Sequence, residues 1–484
     1  MSNRQLGAEV ELGTGRAMLD GDAAFKSLLK ASNNFLDLNA NVRADPVPDL
    51  SIADLERLAD QLAVSMVGGR WDECVEIMMS GSVHYSNTGF LKQQLNAPLS
   101  GSAIGALWAA ILNQGQAVFE MSPLTSVLEA RMLEWTKQRL RLSRTAFGLS
   151  TGGGTLANLS ALLAARNRLD NWGRWTKGTA ELRIRVLCSD AAHYSVTRAV
   201  SILGIGNNAV VTVATSTDGR IDIDALLDQL ENDVPTIVVL NAGTTFSGAF
   251  DDIVDFFARY RRSERVWVHI DACHGGSFYD TPALTRHFAC FAYAESVCWD
   301  LHKAYFQSTP LSFLFFQRRE LANYTSNHSI TYLSQDDQCR YPDMNRWTLE
   351  CSRTANALKL WVSLHVTGET AIVEMVAKLH DSAVMFEAGL SEHFETTGTP
   401  DTNIVAFRPR DPCTDARVHQ LVHTLQNQYG LILGTIEWQG RLYARACFMN
   451  PRVTDADVAA MINIALSIDA GRAEAEASKK DVSQ

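Results

Sequence analysis

Between residues 185 and 303 the sequence alternates short apolar runs with helix-patterned stretches, and this alternation constrains the fold more than any other feature. The apolar runs are 185–188, 209–213, 236–240, 266–270 and 294–299, with helical spacing at 195–203, 222–232 and 253–261 between them. Runs this short, with no polar alternation, suit strands covered on both faces better than buried helices. The pattern predicts an α/β fold: a mostly parallel sheet with helices on both sides and its ligand at the carboxyl ends of the strands. Two chemically distinctive residues stand at such ends. Asp271 closes Val266-Trp267-Val268-His269-Ile270, and Lys303 follows Ser296-Val297-Cys298-Trp299-Asp300-Leu301-His302.

Around this centre the 484-residue chain divides by pattern. A helix is expected at 23–36, followed by the stiff break Asp45-Pro46-Val47-Pro48. Helical spacing recurs at 103–117 and 126–141, and again at 352–367 and 372–390. Strands at 403–407, 431–436 and 442–448 with helices at 415–428 and 455–466 read as a smaller α+β domain. The charged tail from Gly471 is expected to lack structure. The expected domains are thus an N-terminal helical segment (1–100), a large ligand-binding domain (101–370), a small C-terminal domain (371–470) and a tail (471–484).

Composition narrows the class. With 46% hydrophobic and 20% charged residues the chain can bury large cores, and a net charge of -11 argues against nucleic acid as a partner. No uncharged run is long enough to span a bilayer, so no membrane partner is expected. Nine cysteines lie scattered without a C-x-x-C pair or zinc-type spacing, which predicts free thiols, a reducing cytoplasmic location and no metal.

The chemistry follows from three features. Gly152-Gly153-Gly154-Thr155 leads directly into the helical run from Leu156, and glycine before a helix start makes a place for a phosphate. A lysine offers an amine for a Schiff base, and a nearby carboxylate can keep a pyridine nitrogen protonated. Those are the two groups a pyridoxal phosphate (PLP) enzyme needs. A dinucleotide-binding oxidoreductase would also use a glycine-rich turn, but the G-x-G-x-x-G spacing is missing.

Five segments, in order, carry a resemblance: Thr151-Gly152-Gly153-Gly154-Thr155-Leu156-Ala157-Asn158, Ser189-Asp190-Ala191-Ala192-His193-Tyr194-Ser195, Asn241-Ala242-Gly243-Thr244-Thr245, His269-Ile270-Asp271-Ala272 and Asp300-Leu301-His302-Lys303. Together they resemble the PLP-dependent group II amino-acid decarboxylases. The resemblance implies the fold type I architecture of PLP-dependent transferases, and decarboxylation of an L-amino acid to its amine and carbon dioxide through a Schiff base on Lys303. It implies that Asp271 pairs with the pyridine nitrogen, that His193 stacks on the ring and that Ala272 faces the ring's other side. Gly154, Thr155 and His302 would hold the phosphate, and Thr245 would sit under the ring. Asp300, being anionic, is expected to hold backbone or the histidine and not the cofactor. Arg445 resembles the family arginine that meets a substrate carboxylate. A loop tyrosine, Tyr341 or failing it Tyr332, would return a proton to the carbanionic carbon.

The same resemblance implies a homodimer with the active site at the interface, Gln307-Ser308-Thr309 reaching the neighbouring subunit's phosphate. Another PLP-dependent carbon-carbon lyase, or a decarboxylation-coupled oxidative deaminase, would share Lys303 and Asp271. Two positions depart from the family pattern: His274 replaces an aromatic, and Gly153 stands where serine is common. Both leave the identity of the amino acid open.

Overall fold

A computed structural model of the chain describes residue 30 and residues 50–179, 183–231, 234–326, 341–410 and 412–481. Its strands, in chain order, are β1 (Phe90–Leu91), β2 (Phe147–Thr151), β3 (Arg185–Ser189), β4 (Val210–Val213), β5 (Thr236–Asn241), β6 (Val266–Asp271), β7 (Ser296–Asp300), β8 (Ser312–Phe316), β9 (Phe394–Thr396), β10 (Ile404–Pro409), β11 (Ile432–Trp438) and β12 (Arg441–Cys447). The described residues up to Asn87 form one compact unit and those from Thr88 onward another. In the first unit, helices Ile52–Val67 and Trp71–Ser80 are described, the former opened by a capping box between Ser51 and Asp54. The helix expected at 23–36 falls outside the described residues except for Lys30, which is helical.

The second unit is built on a seven-stranded sheet in the order β2-β8-β7-β6-β5-β3-β4. Strands β4, β3, β5, β6 and β7 run parallel, as the alternation predicts, while β8 runs against them and β2, antiparallel to β8, forms that edge. These two strands were not legible beforehand, because Phe147–Thr151 reads as the approach to the glycine turn and Ser312–Phe316 as one more apolar stretch.

Successive strand residues face opposite sides of a sheet, and each side here has its own core. Val238, Leu240, Val268, Ile270 and Ala272 pack on one side with Phe250, Phe256 and Trp299. Ile237, Val239, Trp267, Cys273 and Cys298 pack on the other with the helix Gly154–Leu169, whose Ala157, Ala161, Ala164 and Ala165 allow close approach.

A second sheet, β1-β11-β12-β10-β9, is antiparallel except for the short β1 beside β11. Helices Glu369–Leu390 and Asp415–Tyr429 cover one face. The other face meets the large sheet's ligand end, where Ala406, Trp438 and Tyr443 pack on Ala191 and Phe246. The last helix runs Asp455–Asp481, past Gly471, where the sequence reading places an unstructured tail; that stretch is rich in helix-favouring Ala, Glu and Lys. The helix expected from residue 352 starts only at Ala357. Arg353 explains the delay: its buried guanidinium donates to Glu129, to the Ser150 carbonyl at 3.1 Å and to the Gln116 carbonyl at 3.2 Å, which ties the preceding backbone outside the helix.

Candidate active site

Strand register brings the site together. Across the parallel strands Asn241 lies opposite Asp271, and Asp271 opposite Cys298, so β5, β6 and β7 end in one row with Asp300 two residues further on. The carboxyl ends of these strands and the start of the Gly154–Leu169 helix enclose a cavity of about 290 Å³. Its walls include Gly154, Thr155, His193, Thr245, Asp271, His302 and Lys303, so seven of the sequence-predicted site residues meet in one place.

The helix enters the cavity by a turn that only glycine makes easily. Gly153 has φ 127°, and a Cβ on Gly154 would lie 2.6 Å from the Cys273 sulfur and 2.7 Å from the Asp300 carboxylate. The first amides of a helix have no intrahelical partner, so this end is a place for an anion.

Lys303 Nζ lies 3.1 Å from Asp300 Oδ2, and its carbonyl accepts from Asn96 Nδ2. Burial works against its charge, but Asp300, Cys273 and Asp271 outweigh that and hold the ammonium well above the usual lysine range. Asp300 also accepts from Ser312 Oγ at 2.5 Å and lies 3.8 Å from His302 Nε2. It therefore holds the lysine and its neighbours, a wider role than the expected contact with backbone or histidine. His302 pairs through Nδ1 with the Leu311 carbonyl at 3.0 Å, leaving Nε2 as its other polar atom.

Asp271 is held by the chain from two sides: Oδ1 accepts from the Cys273 amide at 3.0 Å and Oδ2 from Asn158 Nδ2 at 2.8 Å. Burial alone would push this carboxyl up; the charge of Lys303 and the ring of His269, with the Cys273 bonds, instead hold it below the usual range. It is thus an anion at neutral pH despite being 7% exposed.

Around Asn158 the hydrogen bonds fix each neighbour's tautomer. Its Nδ2 donates to Ser195 Oγ at 2.9 Å as well as to Asp271, and Ser195 Oγ lies 2.8 Å from His193 Nδ1, which the Ser195 amide also meets at 3.3 Å. Nδ1 of His193 is therefore an acceptor and its proton sits on Nε2. Burial lowers this histidine's pKa against the pull of Asp271, keeping it neutral. On the other side Asn158 Oδ1 accepts from His269 Nε2 at 2.9 Å, and His269 Nδ1 pairs with Ser296 at 2.8 Å.

Three predicted residues are placed differently. Ala272 points away from the cavity into the core with Ile270, because side chains alternate along β6; Cys273 stands two residues beyond Asp271 and is the one that lines the cavity. Arg445 is buried and donates through Nε to the Thr245 carbonyl at 2.7 Å and through Nη1 to the Lys92 carbonyl at 3.2 Å. It braces the Thr245 segment and does not line the cavity, and its Nη2 is buried without a partner. Tyr341 is not brought to Lys303: its ring stacks on Phe119 at 5.9 Å and lines a separate cavity with Glu129 and Arg353. Tyr332 lies outside the described residues.

Sequence reading also missed functional neighbours. Asn158 and Ser195 were inside recognised segments without roles; Cys273 could have been found from the two-residue period. His274, 2% exposed, lines the cavity and pairs through Nε2 with Asn403 Oδ1 at 2.6 Å. Asn403 in turn donates to the Phe448 carbonyl at 2.6 Å, which fixes its oxygen as the acceptor. Burial, then the charge of Lys303, pushes His274 down to about 3.

Comparison with known proteins agrees with this geometry. Residues 70–410 match the family model described as the pyridoxal-dependent decarboxylase conserved domain. An L-2,4-diaminobutyrate decarboxylase of Rhizobium meliloti is 30% identical over 370 residues, 73% of this chain and 72% of that protein. An aromatic-L-amino-acid decarboxylase of Bacillus atrophaeus is 28% identical over 71% of this chain and 72% of its own. In fold the chain is similar to the crystal structure of Oryza sativa TDC with PLP and tryptamine, with a TM-score of 0.81 at 21% identity over 96% of this chain and 99% of that one.

Proposed function

Because the chain belongs to the pyridoxal-dependent decarboxylases, and is a PLP-dependent amino-acid carboxy-lyase, we propose that the cavity at Lys303 is where an L-amino acid loses its carboxyl group. The observation that carries the assignment is the joint placement of Lys303, the anionic Asp271 and the Gly154 helix start around one cavity. The residues present fit the cofactor: an amine, a carboxylate kept ionised in a buried site, and an anion-binding helix end open to the same space. Lys303 would carry it, Asp271 would pair with its ring nitrogen, and Gly154, Thr155 and His302 would hold its phosphate, with Thr245 beside the ring.

When bound, pyridoxal phosphate supplies an aldehyde that captures amines and a ring that accepts the electron pair left behind as carbon dioxide departs. The chain's own part is to place and hold charge. Asp271, fixed by Asn158 and the Cys273 amide, keeps a negative charge where a ring proton needs a partner. His193 presents Nε2–H from a ring fixed by Ser195, a donor suited to a carboxylate or to the ring face. Asp300 holds the Lys303 ammonium when the amine is free. Arg445 would act on the site only through the Thr245 segment that it braces.

Two experiments test this. Carbon dioxide release measured over a panel of L-amino acids should single out a substrate. Borohydride reduction followed by peptide mapping should place the cofactor on Lys303, and Lys303→Ala should remain folded but lose both the label and essentially all activity. Label retained on another lysine would overturn the assignment.

The homodimer belongs to the same proposal. Of the segment expected to reach a neighbouring subunit, Gln307 is buried on the Tyr305 carbonyl and Ser363, and Ser308 bonds Ser102; Thr309 alone is exposed. Thr309 is the residue proposed to cross the interface. Light scattering of active protein should give twice the chain mass, and an active monomer would remove the proposal. Free thiols among the described cysteines support the cytoplasmic reading.

A further inference from the structure

We infer that Cys273 and Cys298 form a dithiol site in the wall of the active-site cavity that binds a thiophilic divalent cation, with Asp271 as its third ligand, when the cofactor is absent. The two cysteines are 25 residues apart in sequence, and the register of β6 on β7 brings their sulfurs to 3.4 Å. The ligand atoms of Asp271, Cys273 and Cys298 all lie within 4.8 Å of one another, with Cys298 Sγ 3.7 Å from Asp271 Oδ1. Cys273 lines the cavity, so an ion has a way in, while Cys298 is wholly buried behind it.

Distances and charge suit a small soft cation. Zinc–sulfur bonds of about 2.3 Å across a tetrahedral angle put two sulfurs about 3.8 Å apart, a few tenths of an ångström beyond the present separation. His269 Nε2, 3.8 Å from Cys298 Sγ, gives its proton to Asn158 Oδ1 and so stands beside the group without joining it as a ligand. Asp271 and Asp300 give the place a negative field, and the Lys303 ammonium that opposes a cation is paired with Asp300. Binding is a proton exchange without redox change: each thiol loses its proton as its sulfur bonds the metal, so about two protons are released per ion. Because each thiol must give up its proton to bind, affinity should rise with pH. The groups facing the pair across that titration are Asp271, Asp300, His269 and Lys303.

The inference rests on the cofactor reading only for the exclusion of one ligand by the other. The test uses full-length protein stripped of cofactor and kept reduced with a phosphine, titrated with Zn²⁺ by calorimetry in buffers of different ionisation enthalpy, and with Co²⁺ to read the thiolate-to-metal absorption. Expected are one ion per chain, release of about two protons, and affinity about tenfold or more weaker in both Cys273→Ser and Cys298→Ser. Circular dichroism confirms the fold of each variant; should Cys298→Ser not fold, Cys273→Ser and the proton count decide. No retained ion, or equal affinity in the cysteine variants, overturns the site. Protein loaded with pyridoxal phosphate should bind the ion at least about tenfold more weakly. Equal binding with the cofactor shown by reduction to be on Lys303 overturns the shared use of Asp271. Failure of the cofactor to attach at all would count against the cofactor reading and leave the metal titration standing on its own.

Discussion

Asn158 uses all four of its side-chain hydrogen-bonding positions: Nδ2 donates to Ser195 and Asp271, and Oδ1 accepts from His269 and from the Cys298 thiol at 3.1 Å. Removing a buried partner costs more than the bond itself, because the groups left behind stay desolvated. Asn158→Ala should therefore lower stability by about 1–3 kcal/mol in urea unfolding and weaken PLP retention, since Asp271 loses the donor at Oδ2. Asn158→Asp should weaken cofactor binding further, by setting a second carboxylate against Asp271. A cofactor titration that is unchanged in both variants would show that Asp271 needs no such support. The sequence could name Asp271 and Lys303 because each stands alone at the end of an apolar run. It could not name Asn158's role, whose partners lie 37 and 113 positions away and meet it only after the helix has docked on the sheet.

At the scale of single elements, what was legible was whatever local pattern decides. The five parallel strands and their crossover helices follow from apolar runs and 3.6-residue spacing, and the observed bounds differ from expectation by at most four residues, as at Ile223–Asp228. Facing was legible too, and was misjudged at Ala272, where the two-residue period of β6 assigns the cavity to Cys273. Strands β2 and β8 were not, because β8 pairs with β7 through a turn that carries no helix and β2 pairs only with β8, 161 or more residues away in sequence. The glycine turn yields a sharp expectation. Gly154→Ala places a methyl 2.6 Å from the Cys273 sulfur and 2.7 Å from both Asp300 oxygens, backed by strand ends that cannot easily retreat. Overpacking of this kind costs about 1–3 kcal/mol, and here the helix start must shift as well. The variant should lose thermal stability and release pyridoxal phosphate on dialysis, both visible by absorbance. The double variant Gly154→Ala with Cys273→Ala should regain part of the loss; no recovery would place the clash on Asp300 alone.

For the whole molecule the buried titratable groups predict how stability depends on pH. Burial pushes His269 down to about 4 and His274 to about 3, whereas both titrate near 6.5 when the chain is unfolded. As pH falls below 6.5 the unfolded chain takes up protons that the folded chain refuses, so these two histidines make stability rise with pH across that window and drain it on acidification. Asp251 works the other way: burial raises it from 3.8 to about 6 despite bonds from Asn241 and Ile221, so between those values the folded state binds the extra proton and gains as pH falls. One pKa unit is about 1.4 kcal/mol, and two histidines starting at 6.5 outweigh one carboxyl starting at 6, which leaves a net loss of about 2 kcal/mol between pH 7 and pH 5. Asp271, held below its usual range, adds to the loss only at lower pH, where it protonates in the unfolded chain first. Urea unfolding of the cofactor-free protein at pH 7, 6 and 5 measures the slope directly, and His274→Phe, which removes one of the two histidines, should roughly halve the histidine contribution. Stability that stays flat or climbs as pH falls from 7 to 5 would mean that His269 and His274 accept protons in place, and the neutral hydrogen-bond network drawn around Asp271 would have to be abandoned.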